Sequence, residues 1–476
     1  MKSIWSVNTQ LPHREPLTGT VHCEAAVIGG GMAGILCAYE LEKAGIRTIV
    51  LEADRIASGQ TKNTTAKITL QHGPIYHRLI ESVGLQAAMQ YVHANKRAIA
   101  EYKRMVYDEN IDCDFQILPS YLYTKRKISV LNAEYKAAKQ LSIDCEMTRK
   151  TQLPFEIKAA LRFADQAQFD PLRFIKAVSG GLKIYEKTPV QSIEQNRLIT
   201  KAGTVYADQI FVCTHFPFIN FPGLYFAKMH QQRSYVVAIK TDTPLDGMYY
   251  GIDTGALSFR GYQDYILLGG GSHRTGESDE NAFRMLREEA GRLYGQKPRF
   301  YWAAQDCMSL DGVPYIGQYA KKWKNIYVAT GFNKWGMTSA MAAALLLADM
   351  AQGKNTDAAA AFDPARINAP SAKAFFAEAG HSVKGLTAYY LKNPDGVLSN
   401  IPKGWGGIID DNGHKTGVYK DKTGKIYAVI PKCPHLGCQL SFNHAEKTWD
   451  CPCHGSRFDY QGRLIDNPAQ ENLKRL

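Results

Sequence analysis

Between Cys433 and Asp459 the chain reads CPHLGCQLSFNHAEKTWDCPCHGSRFD, with four cysteines and three histidines in 27 residues. No other stretch restricts the fold as much, because thiols and imidazoles at this density must be brought onto a metal by loops held in register. The spacing is Cys433-x-His435, fifteen residues, then Cys451-x-x-His454. A structural zinc site pairs C-x2–4-C with H-x3–5-H or with a second C-x2-C, so zinc does not fit. Two surplus cysteines, Cys438 and Cys453, sit in the same two loops.

C-x-H followed by C-x2-H is the pattern of a Rieske [2Fe–2S] centre, where two histidines replace two cysteines on one iron. Cys433 and Cys451 are then the ligands of the inner iron, and His435 and His454 those of the outer iron. HLGC, CPCHGS and the later DNPA resemble the two cluster loops and the covering proline loop of cytochrome bc- and b6f-like Rieske proteins. The resemblance implies a Cys438–Cys453 disulfide between the loops. Such a bond is unusual in cytoplasm, but its burial between the loops is expected to shield it from glutathione. The resemblance also implies that Ser456 donates to a bridging sulfide, and it puts Phe458 where the highest-potential members carry a tyrosine. Hydrogen bonds to sulfur stabilise the reduced state, so a mid-range potential is expected.

The module around these loops is small. After LKNPDGVLSNIPKGWGG, dense in Pro, Gly and Asn, come the alternating runs GGIIDDNG, KTGVYKD and KIYAVIPK. They predict an all-β domain over 401–476, too small to be stable without a staple or a metal. Upstream, the Ala-rich stretch from Ala351 ends a large first domain, 1–366, and 367–400 reads as a linker with a helix.

The other end of the chain has a different logic. CEAAVIGGGMAGILCAYELEKAGIRTIVLEAD reads as strand, glycine turn, helix and strand, with the first strand at Ala25–Ile28. Gly29, Gly31 and Gly34 form G-x-G-x-x-G: a tight turn, a close backbone approach to a pyrophosphate, and close helix–strand packing. Met32 and Ala33 open the helix whose N-terminus favours the negative charge. Glu52, followed by Ala53, ends the second strand where an acidic residue takes ribose hydroxyls. The fingerprint alone leaves FAD and NAD open.

Three further stretches resemble the D-amino-acid-oxidase-like flavoproteins and imply FAD. ASGQTKNTTAKIT is similar to the segment beneath the isoalloxazine, which implicates Thr61, Thr65 and Ala66. TPVQSIEQNRLITKAGTVYADQIFVCTH resembles their later strands and implicates Val190 and Thr214, although CTHFP stands where many relatives have ATG. DGVPYIGQYAKKWKNIYVATGFNKWGMTSAMAAALLLADM resembles their C-terminal flavin signature, with Gly331, Gly336, Met337 and Thr338 where a helix N-terminus meets the anionic edge of reduced flavin. The expected fold is an α/β Rossmann-type FAD-binding domain with an antiparallel-sheet substrate subdomain, followed by the small all-β Rieske domain. Runs such as RSYVVAI and ALSFRGYQDYILLGG supply the antiparallel sheet. Tyr250, Arg260 and Lys334 are the polar candidates for the substrate side. The competing reading makes Arg260 a sheet-surface charge and Tyr250 a core tyrosine.

Composition narrows the function classes. The net charge of +12 is spread without like-charge blocks, so no nucleic-acid partner is expected. The six other cysteines are scattered and read as buried free thiols. No apolar run approaches the roughly 20 residues of a spanning helix, and the N-terminus lacks the apolar core of a signal peptide. A cytoplasmic location is expected. No second nucleotide fold is found for an NAD(P)H reductase. No 2-His-1-carboxylate domain follows the Rieske module, as an oxygenase would need.

The resemblance implies an FAD-dependent dehydrogenase acting on a small-molecule amine or amino acid at a C–N bond. Single electrons then pass through the cluster to an acceptor protein or quinone. The alternative is a flavin–Rieske electron-transfer or redox-sensing protein without a metabolite substrate.

Overall fold

The computed structural model describes residues 2–243, 245–277, 281–354, 357–366, 380, 401–411 and 413–476. The expected linker and helix at 367–400 lie outside the described residues, Gly380 apart.

Among those residues an eight-stranded sheet has the path Tyr315–Gln318, Ile326–Thr330, Gly203–Val212, Gly19–Ile28, Thr48–Leu51, Lys183–Tyr185, with the hairpin Val190–Glu194 and Arg197–Thr200 branching from Gly203–Val212. From Ile326–Thr330 to Lys183–Tyr185 neighbours run parallel, with residues 25–28 opposite 48–51 on one side and 209–212 on the other. The first strand is longer than the apolar run predicts. Residues 19–23 pair with 203–207, but that half is mostly exposed and carries little hydrophobic signal.

The glycine turn feeds the helix Met32–Lys43, which packs against the helix Gly336–Ala351. The second helix is apolar on all sides and buried at every position from 337 to 348, as expected of a helix enclosed by protein. The helical segment Tyr76–Asp108 breaks at Gly84 (φ 84°).

A nine-stranded sheet stands against this layer in the order Phe300–Ser309, Met229–Lys240, Tyr265–Arg274, Ser258–Tyr262, Met248–Gly251, Gln116–Thr124, Ala159–Gln168, Lys67–Ile68, with Cys145–Thr148 branching off. It is antiparallel except where Met248–Gly251 runs parallel to Gln116–Thr124. The C-terminal part contributes a three-stranded sheet (Gly406–Asp411, His414–Lys420, Ile426–Val429) and a four-stranded one (Ser441–Asn443, Thr448–Asp450, Arg457–Asp459, Leu464–Asp466). Trp449, Leu440 and Phe458 fill the small core between them, and the two Cys/His loops leave its edge.

Candidate redox centres and the surface between them

The two cluster loops have the same local design. In the first, Cys433 N–H donates to Cys438 O and Gly437 N–H to Cys433 O, both at 2.9 Å; in the second, Cys451 N–H donates to Ser456 O at 2.9 Å and Gly455 N–H to Cys451 O at 3.0 Å. Gly437 and Gly455 take φ of 85° and 80°, which admits glycine far more readily than other residues. A disulfide joins Cys438 to Cys453, with Cα atoms 6.6 Å apart. The sulfurs of Cys438, Cys451 and Cys453 lie within 4.8 Å of one another. Two of that trio are consumed by the disulfide, so Cys451 is the thiol left for a metal, facing Cys433.

Cys433, Cys451 and His454 are sealed at 1–2% exposure, whereas His435 is half-buried. A hydrogen bond from Cys451 holds the Cys433 thiol below its ordinary range, against burial. The two imidazoles stand edge to face, centroids 5.0 Å apart. His435 Nε2 donates to Asn220 Oδ1 at 2.7 Å, and its Nδ1 is buried with no hydrogen-bond partner. Burial lowers this imidazole to about 4, so it is neutral with a lone pair on Nδ1, the state a metal ligand requires. These residues fit a Rieske cluster. Ser456 is fully buried, its hydroxyl oxygen accepting from Ala469 N–H at 2.9 Å and the group lying against Cys433. Phe458 is buried and brings no hydroxyl.

The dinucleotide turn has the shape its glycines require. Gly29 has φ 107°, and a Cβ on Gly34 would lie 1.8 Å from Gly29 O. Around Gly31 a Cβ would meet only Thr61 Oγ1, at 3.4 Å, leaving a backbone face for a pyrophosphate. Glu52 accepts from Gly30 N–H at 2.6 Å and Asp54 N–H at 2.8 Å; burial raises its carboxyl and these two donors oppose the rise. Ala53 follows at the strand end.

Distant segments converge on this turn. Thr61 Oγ1 accepts from Met32 N–H at 2.9 Å, next to Ala33 at the helix start. Cys213 N–H donates to Ile28 O at 2.8 Å, which sets Thr214 beside the turn. Val190 is buried in the hairpin on the same sheet. Thr69 N–H donates to Thr338 Oγ1 and that hydroxyl donates to Thr69 O, both at 2.9 Å, tying the Thr65–Ala66 segment to the helix that Gly336 and Met337 begin. Gly331 makes the turn before it with φ 70°. Apposed glycines, helix starts and an acidic strand end suit FAD.

On the substrate side Tyr250 lies within electrostatic reach of Lys334, and Arg260 stands apart from both. Lys334 Nζ donates to Ser234 Oγ at 2.8 Å and pairs with Asp306 Oδ2 at 3.1 Å. Tyr250 meets the edge of Trp335, centroids 5.2 Å apart. Arg260 has to be corrected. It is 1% exposed, and its guanidinium donates to the carbonyls of Thr65, Ala66 (3.0 Å) and Phe169 (2.8 Å) and to Gln168 Oε1 (3.0 Å). With these donors engaged by protein groups and flanked by Trp5 and Tyr262, it braces the Thr65–Ala66 segment. The N-terminal Trp5 adds a donation to Thr64 O at 2.8 Å.

Sequence reasoning missed the surface on which the Rieske loops sit. Gln231 Nε2 donates to His454 O at 2.8 Å and Asn467 O at 3.1 Å, and Gln305 Nε2 donates to Gly455 O at 2.8 Å. Asn467 Nδ2 donates back to Thr214 O (2.8 Å) and Phe216 O (2.5 Å), and Arg274 donates to Pro452 O at 3.1 Å. Glu446 lies between Arg233 (2.5 Å) and Arg457 (3.0 Å), all three buried. Burial alone would raise its carboxyl, but the two guanidiniums outweigh that and hold it at about 2. Glycines allow the close approach: a Cβ on Gly276 would fall 2.5 Å from Pro452 N.

A family model for FAD dependent oxidoreductases matches residues 24–350, and one for the Rieske [2Fe-2S] domain matches residues 397–476. The chain is 36% identical over 495 residues to the Rieske 2Fe-2S iron-sulfur protein YhfW of Bacillus subtilis (strain 168), covering 100% of this chain and 97% of the relative. Glycine oxidase from Geobacillus kaustophilus superposes with a TM-score of 0.62 at 17% identity, over 73% of this chain and 99% of that one. L-proline dehydrogenase from P. horikoshii gives 0.62 at 18% identity, over 73% and 98%. Both structures speak to the fold. No helix among the described residues is long and apolar enough to cross a membrane. The chain belongs to the FAD-dependent oxidoreductase family, an enzyme whose cofactors are FAD and the [2Fe–2S] cluster of a C-terminal Rieske domain.

Proposed function

We propose that this chain oxidises an amine or amino-acid-like substrate at a C–N bond and delivers the electrons one at a time, through its Rieske domain, to an acceptor protein or quinone. The hydrogen on the carbon beside nitrogen leaves as hydride to the flavin, a C=N bond forms and nitrogen loses one proton; once both electrons have passed to acceptors, the hydride's own proton is released as the second. Two electrons therefore leave per substrate, and two equivalents of a one-electron acceptor are consumed. When bound, FAD supplies the two-electron acceptor and the cluster the one-electron carrier. In this reading residues 1–366 form the flavin domain and 401–476 the Rieske domain. Cys433, His435, Cys451 and His454 hold the cluster, and Tyr250 and Lys334 face the substrate.

One observation carries the reading. The second cluster loop and the proline loop are hydrogen-bonded, through Gln231, Gln305 and Asn467, to the domain that binds FAD, in the same chain. The glycine oxidase and L-proline dehydrogenase likenesses support an amine or amino acid as substrate. A second reading, an electron carrier without a metabolite, is favoured by the engagement of Lys334 with Asp306 and of Arg260 with backbone. Neither then offers a free cation to a carboxylate.

Anaerobic mixing of the holoprotein with primary amines, secondary amines and amino acids tests the choice. Flavin bleaching by one of these, and not by NADH, followed by reduction of the cluster, is expected. Cys433→Ser should keep the bleaching and lose turnover with one-electron acceptors. Undiminished turnover in that variant would make the Rieske domain structural. Absence of bleaching across the panel would favour the carrier.

A further inference from the structure

The segment from Cys213 to Phe226 runs from the dinucleotide turn to the cluster histidines. At its start the Cys213 carbonyl lies 2.5 Å from where a Cβ on Gly29 would be. Further on, Phe216 and Phe226 turn edges toward the His454 ring, with centroids 6.5 and 5.8 Å away. Between them Asn220 accepts from His435 Nε2 at 2.7 Å. Asn220 is itself fixed: its carbonyl accepts from Leu224 N–H at 2.9 Å, and the preceding Ile219 carbonyl accepts from the Tyr319 hydroxyl at 2.6 Å.

We propose that Asn220, a residue of the flavin domain, is a positioning residue for the iron–sulfur cluster: it holds His435 as the tautomer that presents Nδ1 to iron and sets the electron density of that ligand. A neutral imidazole carries one proton, and an amide oxygen on Nε2–H keeps it there, leaving the Nδ1 lone pair for a metal. A partner on the outer nitrogen also orients the ring and raises its basicity. His435 Nδ1 has no hydrogen-bond partner among the described residues, as this arrangement requires. Asn220 differs in kind from the docking contacts. Gln231, Gln305 and Arg274 grip backbone carbonyls of the second loop, whereas Asn220 reaches the ring of a ligand. The cluster of one domain is then tuned by a side chain of the other. The inference uses only the two cofactors and holds whatever the substrate.

Potentiometric titration of the holoprotein with dithionite, followed by EPR, tests this without substrate. Asn220→Asp keeps the shape and the acceptor and adds negative charge. It should lower the reduction equilibrium constant of the cluster about tenfold, ~59 mV for one electron, with unchanged flavin absorption. Asn220→Ala removes the acceptor and should shift the EPR lines. Gln305→Ala, which loosens docking without touching the ring, should leave the lines in place. Parent-like lines and potential in Asn220→Asp would overturn the proposal, as would equal shifts in Gln305→Ala. Should Asn220→Ala lose the cluster, Asn220→Asp decides.

Discussion

The two cofactor regions are built on opposite plans. The proposed cluster site would take its four ligands from 22 consecutive residues, Cys433 to His454, and uses side chains of unusual chemistry. The FAD site gathers segments from Gly29 to Thr338 and depends largely on backbone, with glycines that must be absent of side chain and helix starts that must point inward. A local site fails through loss of a ligand. A distributed site fails through loss of packing.

Reciprocal variants give the largest test. Cys451→Ser removes a proposed iron ligand and should abolish bound iron and acid-labile sulfide while FAD absorbance persists. Gly34→Ala places a methyl 1.8 Å from Gly29 O, which must force strand and helix apart at a cost of about 3 kcal/mol or more. It should abolish FAD binding and leave the cluster. Loss of both cofactors in either variant would mean that the two regions fold as one unit.

How strongly they are coupled depends on Glu446. Glu446→Gln takes the carboxylate from buried Arg233, while Arg457 keeps Asp450 (3.0 Å) and Asp466 (3.3 Å), and should cost about 3 kcal/mol in thermal or denaturant unfolding of the holoprotein. The carboxyl is depressed from 4.5 to about 2, so its contribution is present above about pH 4.5 and is lost as the pH falls toward 2. The parent should lose stability across that window and the variant should lose less. Equal acid profiles would show that the ion network does not hold the domains together.

The same contrast explains what was legible in the sequence. Cys433, His435, Cys451 and His454 stand out as candidate ligands because a Rieske cluster needs those residue types at that spacing, and the Cys438–Cys453 disulfide followed from the resemblance. The glycine turn was legible because only glycine tolerates a 1.8 Å approach. The residues that reach across to the Rieske loops were not. Gln231, Gln305 and Asn220 are ordinary polar residues whose partners lie 150 or more positions away, 223 for Gln231 and His454 O. Arg260 misled for a related reason: an arginine on an alternating strand gives no sign of whether its partners are a substrate or carbonyls behind the sheet.

The disulfide bears on the local plan. Cys438→Ser should still assemble the cluster, because neither sulfur of that bond is among the four proposed ligands. The freed loops should lose it sooner on heating, with about 2–3 kcal/mol of stability gone for a bridge spanning 15 residues. Failure to assemble any cluster would make the bridge a requirement for building the site.

Ser456 gives the smallest effect and the finest test of how local the cluster's properties are. Its hydroxyl oxygen accepts from Ala469 N–H, which leaves the hydroxyl proton for the Cys433 side, in a pocket with no exposure to water. A donor to sulfur stabilises the reduced state, which carries more negative charge, more than the oxidised one. Ser456→Ala should therefore lower the potential. The expected change is about tenfold in the reduction equilibrium, ~59 mV for one electron. Cluster content should be unchanged, since no ligand is lost. Phe458 supplies no compensating hydroxyl, so the full change should be visible. If Ser456→Ala moved the potential less than Asn220→Asp does, tuning from the flavin domain would outweigh tuning from within the loop, and the cluster would be less local than its spacing suggests. A larger shift for Ser456→Ala would keep the control of the potential within the loop.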